Sequence, residues 1–439
     1  MPTFRTNAST IYEAFESSFI TAILGPRRVG KSTLVQRYSQ LHPEKKWVFL
    51  NMDELEQRNS IENNQLRSTI ETTTLQKIGG DFLIWVIIDE AQKCPPLFEQ
   101  IKILYDEFKE KRKIKFILTG SAILQLHQLS AETLAGRIQL FNLREFSLRE
   151  AASLYNPLIQ IPDISILDEI LKNNAYDDIS KKIEELSPFK KILQNSLQQQ
   201  FLWGGMPEAL ALKSDKERHQ YYANYLQTYL EKDIRHIDTI SDIKLYQNLI
   251  KIIAQQTGSL REDKKIMEAL HCSINTLKKY RGYLGATLLY TEIYPFVASS
   301  LRRLTKSPKA YITNNGLITY LSGMDNFSVL EQTGRIGHRM ENWFLNELNI
   351  CLDRDYKNHQ IYFWRTSNGK EVDFIIERSP DIFPFEVTFG KNIFGSKVKS
   401  LQIFLDEKNK AKYGFYIYNG EYHFDEKLKI HFIPAWAIC

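Results

Sequence analysis

The sequence predicts an α/β protein organised around a parallel β-sheet with a phosphate-binding loop at one edge, and three observations carry that expectation. Gly25-Pro26-Arg27-Arg28-Val29-Gly30-Lys31-Ser32-Thr33 fits G-x-x-x-x-G-K-[ST] at every fixed position and follows an apolar run, Phe19 to Leu24, that reads as a buried strand. A second run, Phe82 to Ile88, is apolar throughout, as a central parallel strand covered on both faces should be, and it ends in Asp89-Glu90. A third, Lys115 to Leu118, runs into Thr119-Gly120-Ser121, placing hydroxyls at the carboxyl edge of the sheet, where open α/β sheets bind ligands.

The chemistry of the loop follows from its residues. Glycines at both ends let the chain turn tightly and point backbone N–H groups inward, and the helix starting near Lys31 adds its positive end. A polyphosphate belongs there, with Lys31 reaching the β- and γ-phosphates and the Ser32 hydroxyl ligating Mg²⁺. The strand ending in Asp89-Glu90 looks like a Walker B element: Asp89 holds Mg²⁺, and Glu90 orients and deprotonates the attacking water. Between these lie a strand-like segment, Lys46 to Asp53, and a polar helical stretch to about Gly79. Thr119 is placed to sense the γ-phosphate. Leu134-Ala135-Gly136-Arg137 leads into a last strand, Ile138 to Phe141, so Arg137 is expected at the same edge. There it would stabilise transferring phosphate charge in its own chain or a neighbour's; a surface arginine at a turn is the alternative. Arg27 and Arg28 are weaker fingers, because position near the phosphates does not fix their direction.

LGPRRVGKSTL, IIDEAQK, FILTGSA, LAGR and, further on, GGMPE occur in one order. Together they resemble the large prokaryotic group of AAA-type ATPases, close to the STAND signalling ATPases, that carry a C-terminal domain of unknown function. The resemblance spans most of the chain and implies ATP with Mg as cofactors. The fold class expected is α/β: a P-loop NTPase core with an ASCE-type parallel sheet over 1–146, followed by a helical lid over 147–240. Within the lid, Gly205-Met206-Pro207 resembles the STAND motif whose proline packs against adenine, so Pro207 joins the nucleotide-binding candidates; Gly-Gly and Pro also simply break helices. Tyr221, Tyr222, Tyr225 and Tyr229 form a stripe at helical spacing that reads as core or interface.

Residues 241–325 scan as a winged-helix-like domain. Ile266 to Leu270, the turn His271-Cys272-Ser273, and Ile274 to Tyr283 read as helix-turn-helix, with Ser273 capping the second helix. That helix presents Lys278, Lys279 and Arg281, and the wing adds Arg302, Arg303, Lys306 and Lys309. Phosphate contacts to DNA would follow from these cations. The competing reading is a winged helix used for packing, since no Asn, Gln or Arg pattern fixes base-edge readout.

Residues 330–439 open with a helix holding Glu341, then Asp373 at a strand bend and Glu386 on the next strand. This resembles the PD-(D/E)XK nuclease core, in which Asp373 and Glu386 would hold a second Mg²⁺ that activates water. Thr388 replaces the E-x-K lysine, and Lys391 or Lys370 would have to migrate into its role. The expectation is a nuclease-like domain kept as a structural or binding module rather than one that cuts.

Composition bounds the rest. A chain of 439 residues, 43% apolar and 25% charged, is expected to fold as two to four domains. No apolar run is long enough to span a membrane, so a cytoplasmic protein is expected. Cys94, Cys272, Cys351 and Cys439 lie far apart without a C-x-x-C pair, which argues against a disulfide framework or a zinc knuckle. The net charge of +5 permits a nucleic-acid partner without requiring one. Three functional classes remain open: an ATPase switch, an ATP-regulated metal-dependent DNA nuclease, and a non-hydrolysing nucleotide-sensing scaffold. An Arg137 acting in trans would need a homo-oligomer, and the protein partner is unspecified.

Overall fold

A computed structural model describes residues 5–121, 132–156, 158–230, 234, 242–297, 303, 305–354, 360–407 and 411–438. They fall into two compact units, one within 3–144 and 283–288, the other within 145–282 and 289–439.

The first unit begins with α1 (Ala8–Glu16), β1 (Ile20–Leu24), α2 (Lys31–Leu41) and β2 (Lys46–Asn51). It continues through α3 (Leu55–Glu62), α4 (Leu66–Thr74), β3 (Ile84–Asp89), α5 (Pro96–Phe108), β4 (Ile114–Gly120) and β5 (Ile138–Asn142). Its five strands are all parallel in the order β2-β3-β4-β1-β5, a P-loop NTPase fold. β4 therefore separates the loop-bearing β1 from the acid-bearing β3, the ASCE-type arrangement. β3 is apolar on both faces because both are covered: Ile84, Val86 and Ile88 pack with α5 residues Leu97, Phe98 and Ile101, and Trp85 and Ile87 pack with Phe15, Val35 and Tyr38 of α1 and α2. Parallel register aligns the carboxyl ends, so Leu24 pairs with Gly120 and Asn51 with Asp89.

The second unit opens with helices. α6 (Leu148–Tyr155) and α10 (Asp215–Tyr229) both start in capping boxes, Ser147 with Glu150 and Ser214 with Glu217. Between them lie α7 (Ile179–Leu186), α8 (Lys190–Trp203) and α9 (Pro207–Ala211). The tyrosine stripe of α10 is buried, with Tyr222 donating to the Trp203 carbonyl at 2.5 Å. Then follow α11 (Ile243–Gln255), β6 (Ser259–Leu260), α12 (Asp263–Leu270), α13 (Ile274–Ala286), β7 (Tyr290–Pro295), β8 (Lys309–Ile312), α14 (Asn315–Ser322) and α15 (Phe327–Gln332). His271 takes the left-handed turn after α12, and the Ser273 hydroxyl accepts from Thr276 N at 3.1 Å, the expected cap.

The C-terminal part runs α16 (Ile336–Arg354), β9 (Gln360–Arg365), β10 (Glu371–Arg378), β11 (Asp381–Val387), α17 (Gly395–Glu407), β12 (Gly414–Tyr418), β13 (His423–Asp425) and β14 (Ile430–Pro434). Its sheet does not stop where the expected domain does. β7 pairs parallel with β9, so the hairpin after the helix-turn-helix joins a nine-stranded sheet, β13-β14-β12-β11-β10-β9-β7-β8-β6. Phe344, Phe374, Phe385 and Phe415 fill its core together with Leu197 and Phe201 of α8. Among the described residues no helix is long and apolar enough to cross a membrane.

Candidate functional site

The loop between β1 and α2 is shaped by its glycines. A Cβ on Gly25 would lie 2.3 Å from the Leu143 carbonyl oxygen, and Gly30 adopts φ 101°, a conformation side chains resist. Lys31 is buried, and its Nζ donates to the carbonyls of Gly25 at 2.9 Å and Pro26 at 3.0 Å. Arg28 and Thr33 are exposed, Val29 is buried, and Pro26, Arg27 and Ser32 lie between.

The acids close the site from the end of β3, on the far side of β4 from the loop-bearing strand. Ser32 Oγ donates to Asp89 Oδ2 at 2.8 Å, so loop and strand end meet directly. Thr119 Oγ1, at the end of β4, donates to Asp89 Oδ1. Glu90 follows in the left-handed region, φ 52°, and its Oε2 accepts from Ser121 Oγ at 2.9 Å and Gln92 Nε2 at 2.6 Å. Gln92 was not anticipated. The signal was available in its position two residues after Glu90, in the same turn, and its own Oε1 is buried without a hydrogen-bond partner.

Arg137 is a correction. It precedes β5, and a residue before a parallel strand lies at the amino edge of the sheet, opposite the loop. Ile20 N, at the start of β1, donates to the Arg137 carbonyl, and the guanidinium grips Asp106 through Nε and Nη2, both at 2.8 Å. Its own chain therefore gives it no place at the phosphates. Pro207 is the first residue of α9 and half-buried. The glycines before it have a packing reason: the Gly205 carbonyl accepts from Phe146 N at 2.8 Å, and a Cβ on Gly205 would meet the Phe146 oxygen at 2.5 Å.

Of the cations on α13, Lys278 and Lys279 are exposed, whereas Arg281 is not a free phosphate contact. It is buried, with Nη1 at 2.6 Å from Asp263 Oδ1 and Nε at 3.1 Å from Glu292 Oε1. Arg303 is likewise engaged, by Glu377 at 2.9 Å, Lys306 is exposed, and Arg302 lies outside the described residues.

Lys309 is the larger surprise. It is buried among the acids expected to hold a metal, 3.6 Å from Asp373 Oδ1 and 3.5 Å from Glu341 Oε2, and pairs with Glu371. A second ammonium, Lys397 of α17, lies 2.6 Å from Glu386 Oε1 and 3.2 Å from Asp373 Oδ2. Neither Lys370, half-buried, nor Lys391, exposed, takes the place left by Thr388, whose Oγ1 is buried without a hydrogen-bond partner. Burial pushes the Glu341 carboxyl up to about 7, and burial together with Asp373 raises Glu386. Asp373 resists its burial: Lys397 and Lys309 hold its carboxyl below the usual value. Lys397 stands beside both acids, where the migrated lysine of the resemblance would stand, and the second ammonium, Lys309, 3.6 Å from Asp373 Oδ1, disfavours a further cation such as Mg²⁺ there. Among the described residues, no group of three or more His, Cys, Asp or Glu forms a metal cage.

The parallel sheet, its glycine-bounded loop and the acid of β3 that meets that loop form a P-loop NTPase domain, the fold of nucleotide-binding proteins. Family models agree: residues 17–152 match an AAA domain, 194–328 a domain of unknown function (DUF8612), and 336–438 another domain of unknown function (DUF4143). An uncharacterized protein of Mycobacterium tuberculosis is 24% identical over 431 residues, 98% of this chain and 83% of that protein. One from Haemophilus influenzae is 22% identical, covering 85% and 83%. Among solved structures, the chain is similar to the ORC2 protein of Aeropyrum pernix in its ADPNP-ADP complexes, with 12% identity, TM-score 0.32, and coverage of 80% of this chain and 96% of that one.

Proposed function

We propose that the chain is a Mg²⁺-dependent ATPase that works as a nucleotide-driven switch, with Lys31 on the β- and γ-phosphates and Glu90 as the base toward water. The observation that carries this reading is the 2.8 Å approach of Ser32 Oγ to Asp89 Oδ2. Adjacent oxygens around Mg²⁺, with bonds of about 2.0–2.1 Å at right angles, stand about 2.9 Å apart, so this pair has the spacing of two neighbouring ligands. Mg²⁺ held there would neutralise charge on the transferring phosphoryl group. Glu90, anchored by Ser121 and Gln92, would take the proton of the attacking water, and Thr119 would respond to the γ-phosphate.

ATP turnover and ATP binding, measured on the whole chain and on Glu90→Gln, test the reading. The expectation is turnover reduced by about 10²–10⁴-fold with ATP still bound. A variant as active as the parent removes Glu90 as the base, and a parent that binds ATP without turnover leaves the non-hydrolysing scaffold.

For the C-terminal part, the buried ammonium of Lys309 among Glu341, Glu371 and Asp373 favours a structural or binding module over a nuclease. For the helix-turn-helix, the engagement of Arg281 and the strand pairing of β7 with β9 favour packing over DNA readout. Lys278 and Lys279 would carry any residual DNA contact, and replacing both with alanine would then flatten its salt dependence.

A further inference from the structure

A cavity of ≈ 120 Å³ opens between the end of α11, α14 and the first turns of α16. Its lining includes two guanidinium groups, Arg335 and Arg339, the imidazole of His338, whose burial lowers its pKa, and the apolar side chains of Ala254, Ile318 and Met324. Arg339 is 2% exposed. Its guanidinium donates to the Asn315 carbonyl and, at 3.4 Å, to the Ser322 hydroxyl. Among the described residues no carboxylate pairs with it, and burial alone brings its pKa down to about 9. Nδ1 of His338 is buried without a hydrogen-bond partner, with Glu341 Oε1 standing 3.8 Å off. Arg335 spends one donor on the Gln255 carbonyl.

Burying a guanidinium against neutral acceptors alone is costly, and an anion that supplied the missing charge would offset that cost. The start of α16 adds a positive helix end to the same wall. We propose that this cavity binds a small organic carboxylate, its carboxylate on Arg339 and Arg335 and its short apolar body against Ala254, Ile318 and Met324. The space equals the liquid volume of about four waters, which suits a chain of a few carbons. Inorganic phosphate fits less well, because it would leave hydration behind against the apolar side. Planar carboxylates also match the forked donors of arginine.

The test titrates the whole chain with sodium butyrate, butyramide and inorganic phosphate, reading calorimetric binding and Tm. Butyrate is expected to bind and raise Tm, butyramide to do neither, and phosphate to bind at least about tenfold more weakly than butyrate. Arg335→Gln and Arg339→Gln should each weaken butyrate at least about tenfold. Arg339→Gln risks misfolding, so Met324→Trp, which narrows the cavity without touching a charge, provides the second arm: it should abolish butyrate binding while the parent Tm is retained. Absence of butyrate binding, equal binding of butyramide, a preference for phosphate, or unchanged affinity in Arg335→Gln and Met324→Trp would each overturn the assignment.

Discussion

Two groups of acids in this chain meet their surroundings in opposite ways. Asp89 and Glu90 are dressed by neutral donors: Ser32, Thr119, Ser121 and Gln92. Glu341, Glu371, Asp373 and Glu386 are threaded by the ammonium groups of Lys309 and Lys397. Hydroxyls and amides orient a carboxylate and leave its charge for an incoming cation, whereas a buried lysine spends that charge inside the fold. The first arrangement suits chemistry on a bound metal nucleotide; the second holds a sheet together.

Removing one ammonium should break the contrast most visibly. Lys309→Met removes the ammonium shared by Glu341, Glu371 and Asp373 and leaves Lys397 to serve Asp373 and Glu386, and chemical denaturation should register a loss of about 3–5 kcal/mol. The variant's Tm should then rise with added Mn²⁺ while the parent's does not, because the oxygens are no longer filled from within. A loss below about 1 kcal/mol would mean the ion pairs are incidental.

Glu347 sharpens the comparison by pH. It is buried in α16, accepts from Leu148 N at 2.9 Å, and burial pushes its carboxyl up to about 8. A raised carboxyl binds its proton more tightly in the folded chain, so its contribution is complete below about pH 4.5 and is lost as pH rises to about 8. Glu347→Gln keeps the acceptor and removes the titration. Unfolding free energies at pH 5, 6.5 and 8 should fall less steeply in the variant, by up to about 1.4 kcal/mol per unit. Identical slopes would deny the effect.

The smallest effect belongs to the hydroxyl that anchors Glu90. Ser121→Ala should lower kcat about tenfold and leave ATP affinity unchanged, since it disturbs only the orientation of Glu90, the proposed base. A matching change in affinity would move Ser121 to ligand binding.

What could be read from the chain depended on distance along it. The phosphate loop and the end of β3 were legible because strand, loop and helix are contiguous and each carries its own pattern. Arg137 was misplaced although a physical cue existed: in a parallel sheet, the residue before a strand lies at the edge opposite the loop. Arg281 was also within reach, for Leu277, Tyr280, Arg281 and Leu284 repeat at the spacing of a single helix face, and all four are buried. Lys309 was not. It reaches Asp373 from another segment, on a hairpin whose pairing with β9 no local pattern announces, and Lys397 likewise arrives from the next helix.

The central claim is that Ser32 and Asp89 hold Mg²⁺ for a nucleotide gripped by Lys31. ATP affinity measured in Mg²⁺ and in EDTA, for the parent and for Ser32→Ala, tests it most directly. The parent should bind ATP more tightly with Mg²⁺, and Ser32→Ala should lose most of that difference. An equal Mg²⁺ effect in both would contradict the account.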